Sequence, residues 1–266
     1  MTENDVVHVA VAPPPMVDEE LVKKVAAIVA KNLYETRLRL AGKIPKIIAN
    51  YADMHMAEST ARSLRELGLM VVVFTESELR KAPQIYRART LKFDGQAVTF
   101  WDRIGQARRM ESGDVFLIIS GRMQICTETE VTTTVKKLDV TKTLIFGGGV
   151  IPIPKTVKEK TTKRSFQTES FVRLYGRTPQ EPVVQLLQHD FDYSFLGADM
   201  VSSSTANFNN TVKKIRDVFP EAIFDDRLVK PFGTDMSSAI PQDDIEMNCK
   251  LVYWYYQAVR NSGSSI

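Results

Sequence analysis

The first eighty residues alternate between short apolar runs and segments whose apolar residues recur at helical spacing. Residues 6–12 form a β-branched run that three prolines end, which predicts a strand. Asp18 can cap a helix in which the apolar residues at positions 21, 22, 25, 28 and 29 share one face. A second such helix is predicted over 54–67, with Gly68 as its C-cap and a buried strand over 69–74. These elements predict an α/β unit over residues 1–82.

Residues 83–220 have the pattern of antiparallel strands. Asp94 and Gly95 separate two runs with alternating apolar residues, which is typical of a β-hairpin. Further strands are predicted over 170–176 and 183–197, and a helix with one apolar side over 205–219. The segment 221–266 is predicted to hold a last helix over 245–260. The predicted fold class is α+β: a small α/β sandwich, an antiparallel β-rich domain with a closing helix, and a C-terminal helix.

One stretch of the N-terminal unit resembles a known family; it reads YETRLRLAGKIPKIIANYADMHMAESTARSLRELGLMVVVF. A helix leads to a strand entry marked by Ile44 and Pro45, and a helix that starts near Ala57 is followed by Leu64, Gly68 and a final strand. This order is similar to the C-terminal domain of the ribosomal stalk protein and to the related Clp-protease adaptor. The resemblance implies a small α/β sandwich that binds protein partners and has no catalytic residues.

The middle of the chain resembles a second architecture. Its predicted hairpins at 89–123, strands at 170–195 and helix at 205–219 follow the element order of a bacterial pleckstrin-homology-like domain. Some members of that superfold bind anionic lipids and many bind proteins, so the resemblance implies binding without specifying a ligand. A predicted insertion at about 124–168 interrupts the matching elements.

The net charge of +3 is unevenly distributed along the chain. Residues 1–80 carry 10 Lys+Arg and 11 Asp+Glu, residues 81–180 carry 18 and 9, and residues 181–266 carry 7 and 12, which gives −1, +9 and −5. A basic middle favours an anionic partner, either nucleic acid or an anionic lipid surface. Packing of the acidic last third against this basic part within the protein explains the same asymmetry.

The composition is ordinary for a globular protein, with 44% hydrophobic and 25% charged residues. No apolar run approaches the roughly 20 residues that a membrane-spanning helix needs, so no transmembrane segment is predicted. The two cysteines, Cys126 and Cys249, are far apart and have no metal-ligand or redox spacing. Cysteine usage of this kind predicts a cytoplasmic protein.

The stretch LIFGGGVIPIPKTVKEKTTKR (144–164) has the outline of a phosphate-binding loop, because glycines and lysines follow an apolar run. Its first lysine does not follow a glycine, and Pro152 and Pro154 block the helix that such a loop requires. The glycines are therefore predicted to lead into an extended basic loop. Its cations are candidates for binding lipid headgroups or nucleic-acid phosphates: Lys155, Lys158, Lys160, Lys163 and Arg164. A solvated loop without any ligand explains the same residues.

The most polar cluster is HDFD at 189–192. On a strand, Asp190 and Asp192 share one face, and two carboxylates there could ligate Mg²⁺ or Ca²⁺. Alternatively, the two carboxylates lie on the solvent-facing side of an edge strand and bind no metal ion. Asp225 and Asp226, which could supply further oxygens, have the pattern of turn residues.

The C-terminal helix is rich in aromatic residues. Leu251, Trp254 and Tyr255 share a face, and apolar area with polar tips is typical of a protein interface. Packing of this helix onto its own protein explains the same pattern.

Nucleophilic catalysis has no support in the sequence, since neither cysteine has an adjacent histidine and no G-x-S-x-G motif occurs. We therefore assign no catalytic residues and no cofactor, and the sequence favours a protein that is not an enzyme over one that is. The favoured function is a protein-interaction or scaffold protein with a protein partner or self-association. Binding of an anionic partner through the basic middle is the alternative, and a metal-dependent hydrolase using Asp190 and Asp192 is the third hypothesis.

Overall fold

The structure is a computed structural model that describes residues 5–146, 149–178, 181–229 and 240–261 of the 266-residue chain. For residues 125–146, 149–166 and 240–243 it describes the backbone but not the side chains. The chain divides into two compact units. One combines Met1–Met123 with Glu169–Ile266, and the other is Gln124–Thr168.

The N-terminal part of the larger unit is a three-stranded antiparallel sheet with helices. Its strand order is β2-β1-β3, so the first strand is central. The strands are β1 (Val7–Val11), β2 (Lys46–Tyr51) and β3 (Val71–Thr75). The helices are α1 (Glu19–Val29), α2 (Leu33–Leu40), α3 (Met54–Glu66) and α4 (Glu76–Arg80). The predicted strands and helices of this region are confirmed, including the Asp18 cap, which accepts from the Leu21 amide at 2.7 Å.

Both faces of this sheet are covered. Val9 and Val11 of β1 pack with Val25 of α1 and Leu64 of α3 on one face. On the other face Ala10 and Phe74 contact Leu251, which lies more than 170 residues further along the chain. Alternate side chains of a strand point to opposite faces of the sheet. Because both faces are covered, all five residues of β1 are buried.

Two further sheets make up the β-rich part, and both are open. The three-stranded antiparallel sheet has the order β5-β6-β7, with β5 (Thr90–Asp94), β6 (Ala97–Trp101) and β7 (Ala107–Glu111). The six-stranded sheet has the order β11-β8-β9-β10-β4, and β12 pairs with β8. Its members are β4 (Ile85–Arg87), β8 (Val115–Phe146), β9 (Gly149–Gly176), β10 (Val183–Leu187), β11 (Ile223–Leu228) and β12 (Ile240–Pro241). The α+β class is confirmed.

The six-stranded sheet is mixed rather than wholly antiparallel. β4 pairs with β10 in parallel, and β11 pairs with β8 in parallel. Parallel pairs need long connections, and both pairs join segments that are far apart in sequence. The sequence periodicity predicts a strand but contains no information about its neighbour, so the purely antiparallel expectation is corrected here.

Helix α5 (Ser204–Val218) closes the core of the β-rich part, as predicted. Its cap is Ser203, which accepts from the Ala206 amide at 3.3 Å. Phe208 and Ile215 of α5 belong to one apolar cluster with Phe100 of β6 and Leu186 of β10. This cluster joins the three-stranded and six-stranded sheets.

The strand predicted over 183–197 is shorter than expected. β10 ends at Leu187, and a 3₁₀ helix spans Ser194–Asp199. The Tyr193 hydroxyl donates to the carbonyl oxygen of Gln188 at 2.7 Å and closes a turn between the two elements. The apolar run therefore continues into a buried turn, a difference that hydrophobicity alone does not reveal.

Helix α6 (Gln242–Asn261) contacts the N-terminal sheet and the six-stranded sheet. Leu251 and Trp254 face the N-terminal sheet, where the Trp254 ring stacks on Phe74 with a centroid distance of 4.5 Å. Tyr253 faces the six-stranded sheet and contacts Phe116 and Tyr175 at 5.7 and 5.0 Å between centroids. The predicted C-terminal helix is confirmed, and it packs onto its own protein.

The insertion predicted as a basic loop consists of strand instead. Residues 124–146 belong to β8 and residues 149–168 belong to β9, and the two strands are neighbours in the sheet. The loop prediction is wrong because it relied on the glycines and prolines, whereas the many Val, Ile and Thr residues favour an extended chain. A proline is tolerated in a strand at a position where the backbone N–H that it lacks would point away from the neighbouring strand.

Candidate functional site

The unit Gln124–Thr168 is built from two strand segments and is called the β8–β9 unit below. Only residues 147 and 148 separate the segments, a connection that is long enough for antiparallel strands only. A sheet of two strands has an outer edge on each of them, with unpaired N–H and C=O groups. Two strands alone are at most marginally stable in water, so such a unit is suited to accepting further strands.

The predicted anion-binding residues lie in this unit. Lys155, Lys158, Lys160, Lys163 and Arg164 all fall in the part of β9 whose side chains the structure does not describe. The unit as a whole carries 8 Lys+Arg and 4 Asp+Glu, a net charge of +4, whereas the remaining residues carry 27 and 28, a net charge of −1. The basic character of the middle third is therefore concentrated in the β8–β9 unit.

The predicted metal pair does not lie on a strand. Asp190 and Asp192 follow β10 in a turn, where Asp190 pairs with Arg89 and lies 4.0 Å from Arg103. Asp192 accepts from the backbone amide and hydroxyl of Ser194, each at 2.9 Å. No group of three or more His, Cys, Asp or Glu residues that could hold a metal ion occurs among the described residues.

The predicted interface residues of α6 make contacts within the chain. Leu251 is only 2% exposed, and Trp254 is half-buried against Phe74. Tyr255 lies 5.4 Å from the guanidinium of Arg227, measured to its ring centroid. These contacts explain the aromatic pattern by packing inside the protein, and an interface of the same residues with another protein stays a prediction.

A cleft of about 620 Å³ opens beside α6 in the larger unit. It is bounded by the segment after α4, by the ends of β9 and β10, and by α6, and it is called the α4–α6 cleft below. Residues that face it include Lys81, Arg173, Tyr175, Lys250, Tyr253 and Trp254. Cavities of about 300–1,000 Å³ are typical of small-molecule sites.

Arg173 is the most buried charged residue at this cleft, with 2% of its surface exposed. Its Nη1 donates to Glu246 Oε2 at 2.9 Å, its Nη2 donates to Glu246 Oε1, and Nη2 also donates to Gln185 Oε1 at 3.3 Å. Burial has the largest single effect on the pKa of Arg173 and lowers it, but the hydrogen bonds to Glu246, together with the electrostatic effects of Cys249, Tyr175 and Glu246, outweigh burial and raise this pKa. Its Nε is buried and has no hydrogen-bond partner among the described residues, which typically costs about 1–3 kcal/mol.

Lys250 forms one wall of the cleft. Its Nζ donates to the carbonyl oxygens of Glu78, Leu79 and Lys81, which are the free carbonyls at the end of α4. Burial lowers the pKa of Lys250. The ammonium thus joins α4 to α6 while its charge remains near the cleft.

Cys249 and Tyr175 lie behind Arg173. Cys249 is fully buried, and burial raises the pKa of its thiol to about 12. Burial likewise raises the pKa of Tyr175. Both side chains are therefore neutral at physiological pH, and Cys249 is a packing residue rather than a reactive thiol.

Sequence reasoning did not find this cleft or its charged residues. Arg173 lies in an apolar strand and Glu246 at the start of an aromatic helix, and 72 residues separate them. A buried arginine has no local sequence signal. The alternation along a strand predicts which face of the sheet the side chain lies on, but it does not predict which element covers that face.

No family model matches the chain, and neither the curated proteins nor the solved structures include a similar one. Among the described residues, none of the helices combines the length and the apolar character needed to cross a bilayer.

Proposed function

We propose that this chain is a non-catalytic interaction protein whose copies associate through the strand edges of the β8–β9 unit. The single observation behind the proposal is a compact unit whose described residues all belong to two strand segments. Main-chain hydrogen bonds at a free strand edge are a common means of binding a further strand.

A second copy fits this unit because the unit offers two different edges. β11 pairs with β8 at residues 117–121, β12 also pairs with β8, and β10 pairs with β9 at residues 171–174. Along the remainder of the two strands, the β9 edge of one copy can pair with the β8 edge of the next in a head-to-tail contact. The prolines at 152 and 154 remove two donors from β9, so pairing is expected along residues 155–168.

Charge along the two strands supports the same arrangement. Glu128 and Glu130 stand at the beginning of the unit, and Lys163 and Arg164 stand close to its end. In an antiparallel pair the beginning of one strand lies level with the end of the other, so acidic and basic positions meet when copies stand side by side.

The test is the mass of the full chain in solution, by sedimentation velocity over a range of concentrations. We expect a mass above 30.0 kDa that increases with concentration. Reversal of both acidic residues, Glu128→Lys with Glu130→Lys, is expected to shift the chain toward the monomer by at least tenfold in association constant. The matched control, Glu58→Lys with Glu66→Lys on α3, makes the same charge change on an exposed helix face and should leave the mass unchanged.

Two outcomes contradict self-association: a strict monomer at every concentration, or an equal effect of the α3 control. The first result leaves a different protein as the partner of the strand edges, which a cross-linking experiment through the unit would identify.

Binding of an anionic partner is the second candidate function, and the charge of +4 in the β8–β9 unit favours it. Retention of the full chain on heparin at low salt should fall as salt rises. Replacement of Lys155, Lys158, Lys160, Lys163 and Arg164 by Gln should abolish retention. Retention should survive the same replacement of five exposed cations outside the unit: Lys23, Lys24, Arg37, Arg62 and Lys92. No retention of the unmodified chain at low salt excludes this function.

A further inference from the structure

We propose that the α4–α6 cleft binds a small molecule that has a planar ring and a carboxylate or phosphate group. The inference is independent of self-association, since every residue that lines the cleft belongs to the larger unit. It depends on three properties of the cleft: two aromatic rings that line it, two lysines that form no ion pair among the described residues, and a buried donor without a partner among the same residues.

Two aromatic side chains of α6, Tyr253 and Trp254, line the cleft. Tyr253 stacks on Tyr175 at 5.0 Å with an interplanar angle of 30°, and Trp254 stacks on Phe74 at 4.5 Å with the same angle. Both outer rings line the cleft and are only half-buried. Since their inner partners fix them, a planar ligand can stack without an entropic cost for ordering these side chains.

The acidic side chains at the cleft already have partners. Glu78 accepts from the backbone amide of Thr75 at 2.8 Å in a capping box, and Glu181 accepts from Arg108 at 3.0 Å. Lys81 and Lys250 form no ion pair with a carboxylate among the described residues. The cleft therefore favours an anion over a cation.

The buried donor is the Nε of Arg173. Arg173 lines the cleft, its two terminal nitrogens bind Glu246, and its Nε has no partner among the described residues. A carboxylate or phosphate oxygen is the acceptor that a guanidinium N–H binds best. The same oxygen would lie in the field of the Lys250 ammonium.

The experiment uses the full chain and four probes that share one ring. Phenyl phosphate and benzoate carry the anion, benzamide is neutral and benzylamine is cationic. Ligand-observed NMR titrations measure each dissociation constant. We expect phenyl phosphate or benzoate to bind at least tenfold more tightly than benzamide, and benzylamine not to bind. Which of the two anions binds more tightly distinguishes a phosphate ligand from a carboxylate ligand.

Two pairs of variants locate the binding. Lys81→Gln at the rim should weaken the preferred anion about threefold, whereas Lys92→Gln, an exposed lysine on β5 that does not line the cleft, should have no effect. Tyr253→Phe keeps the ring and should bind normally, whereas Tyr253→Leu should weaken binding at least tenfold.

Equal binding of benzamide and the anions overturns the proposal, and so does the absence of binding by all four probes at millimolar concentration. If Tyr253→Leu fails to fold, the comparison of Lys81→Gln with Lys92→Gln still tests the proposal. Both lysines are exposed, so neither variant affects the core.

Discussion

Arg173 and Glu246 form the interaction on which the arrangement around α6 most depends. The arginine is almost fully buried, and about a third of the glutamate side chain is exposed. Removing a guanidinium from water is expensive, and a paired carboxylate with good geometry offsets that cost. The two parallel hydrogen bonds of this pair fix the orientation of the start of α6 relative to β9.

Glu246→Gln is expected to destabilise the protein by about 2 kcal/mol, because Arg173 would remain charged and buried without its counter-ion. Urea unfolding monitored by circular dichroism measures the loss. The control is Glu221→Gln, which breaks an exposed ion pair with Arg177 and should cost less than about 1 kcal/mol. Similar losses for both variants would show that the buried pair has no special role.

Helix α6 packs against two of the three sheets, the N-terminal sheet and the six-stranded sheet. Its polar and aromatic residues contact β3 on one side and β8 and β9 on the other. Cys249 lies inside this double contact and is fully protected from solvent. Its titration therefore reports whether α6 is in place.

The raised pKa of Cys249 predicts a loss of stability at alkaline pH. The folded-state pKa of about 12 is above the ordinary thiol value of 9.0, so the folded protein binds the thiol proton more tightly than the unfolded chain does. This contribution is complete below pH 9 and is lost as pH rises toward 12. It corresponds to about 1 kcal/mol between pH 8 and pH 10.

Urea unfolding at pH 8 and pH 10 measures this contribution in a chain whose other cysteine is replaced, Cys126→Ser. The further change Cys249→Ala should reduce the alkaline loss by about 1 kcal/mol, and the tyrosines with raised pKa values account for the remainder. An unchanged pH dependence, or fast alkylation of Cys249 in the folded protein, would falsify the placement of its thiol.

At the scale of the whole molecule, the chain divides into two compact units, and we propose that the smaller one serves interaction. The described apolar clusters, which include Phe100, Leu64 and Leu251, lie in the larger unit. The β8–β9 unit interrupts the sequence of that unit and forms a compact group of contacts of its own.

Replacement of Gln124–Thr168 by a short Asn-Gly turn should therefore leave a folded protein whose free energy of unfolding changes by less than about 1 kcal/mol. Circular dichroism and urea titration test this expectation. The variant should also be a monomer and should not bind heparin. Global unfolding of the variant would show that the larger unit needs the inserted strands for its own stability.

Much of the local structure could be predicted from the sequence. The helix that Asp18 caps, the hairpin at Asp94 and Gly95, and the helix with Phe208 and Ile215 on one face are all found as expected. The strand nature of residues 149–168 could not be predicted by the same means, because glycines and prolines have the same local signature at a strand edge as in a loop.

The candidate site was less accessible to prediction than the fold. The Lys-rich positions of the β8–β9 unit are evident in the sequence, but their location in a two-stranded unit is not. The α4–α6 cleft brings together residues from near 80, 175 and 250, and such convergence depends on pairings that no local pattern encodes.

By itself, the sequence determined where helices begin, which residues turn the chain and where positive charge is concentrated, since caps, turns and charges act over a few residues. The tertiary structure alone decided that α6 lies between two sheets, that Arg173 is buried beneath it and that β11 and β4 join the sheet in parallel. These outcomes depend on contacts between segments tens to more than a hundred residues apart, and the free energy of such contacts appears only when the whole core is assembled.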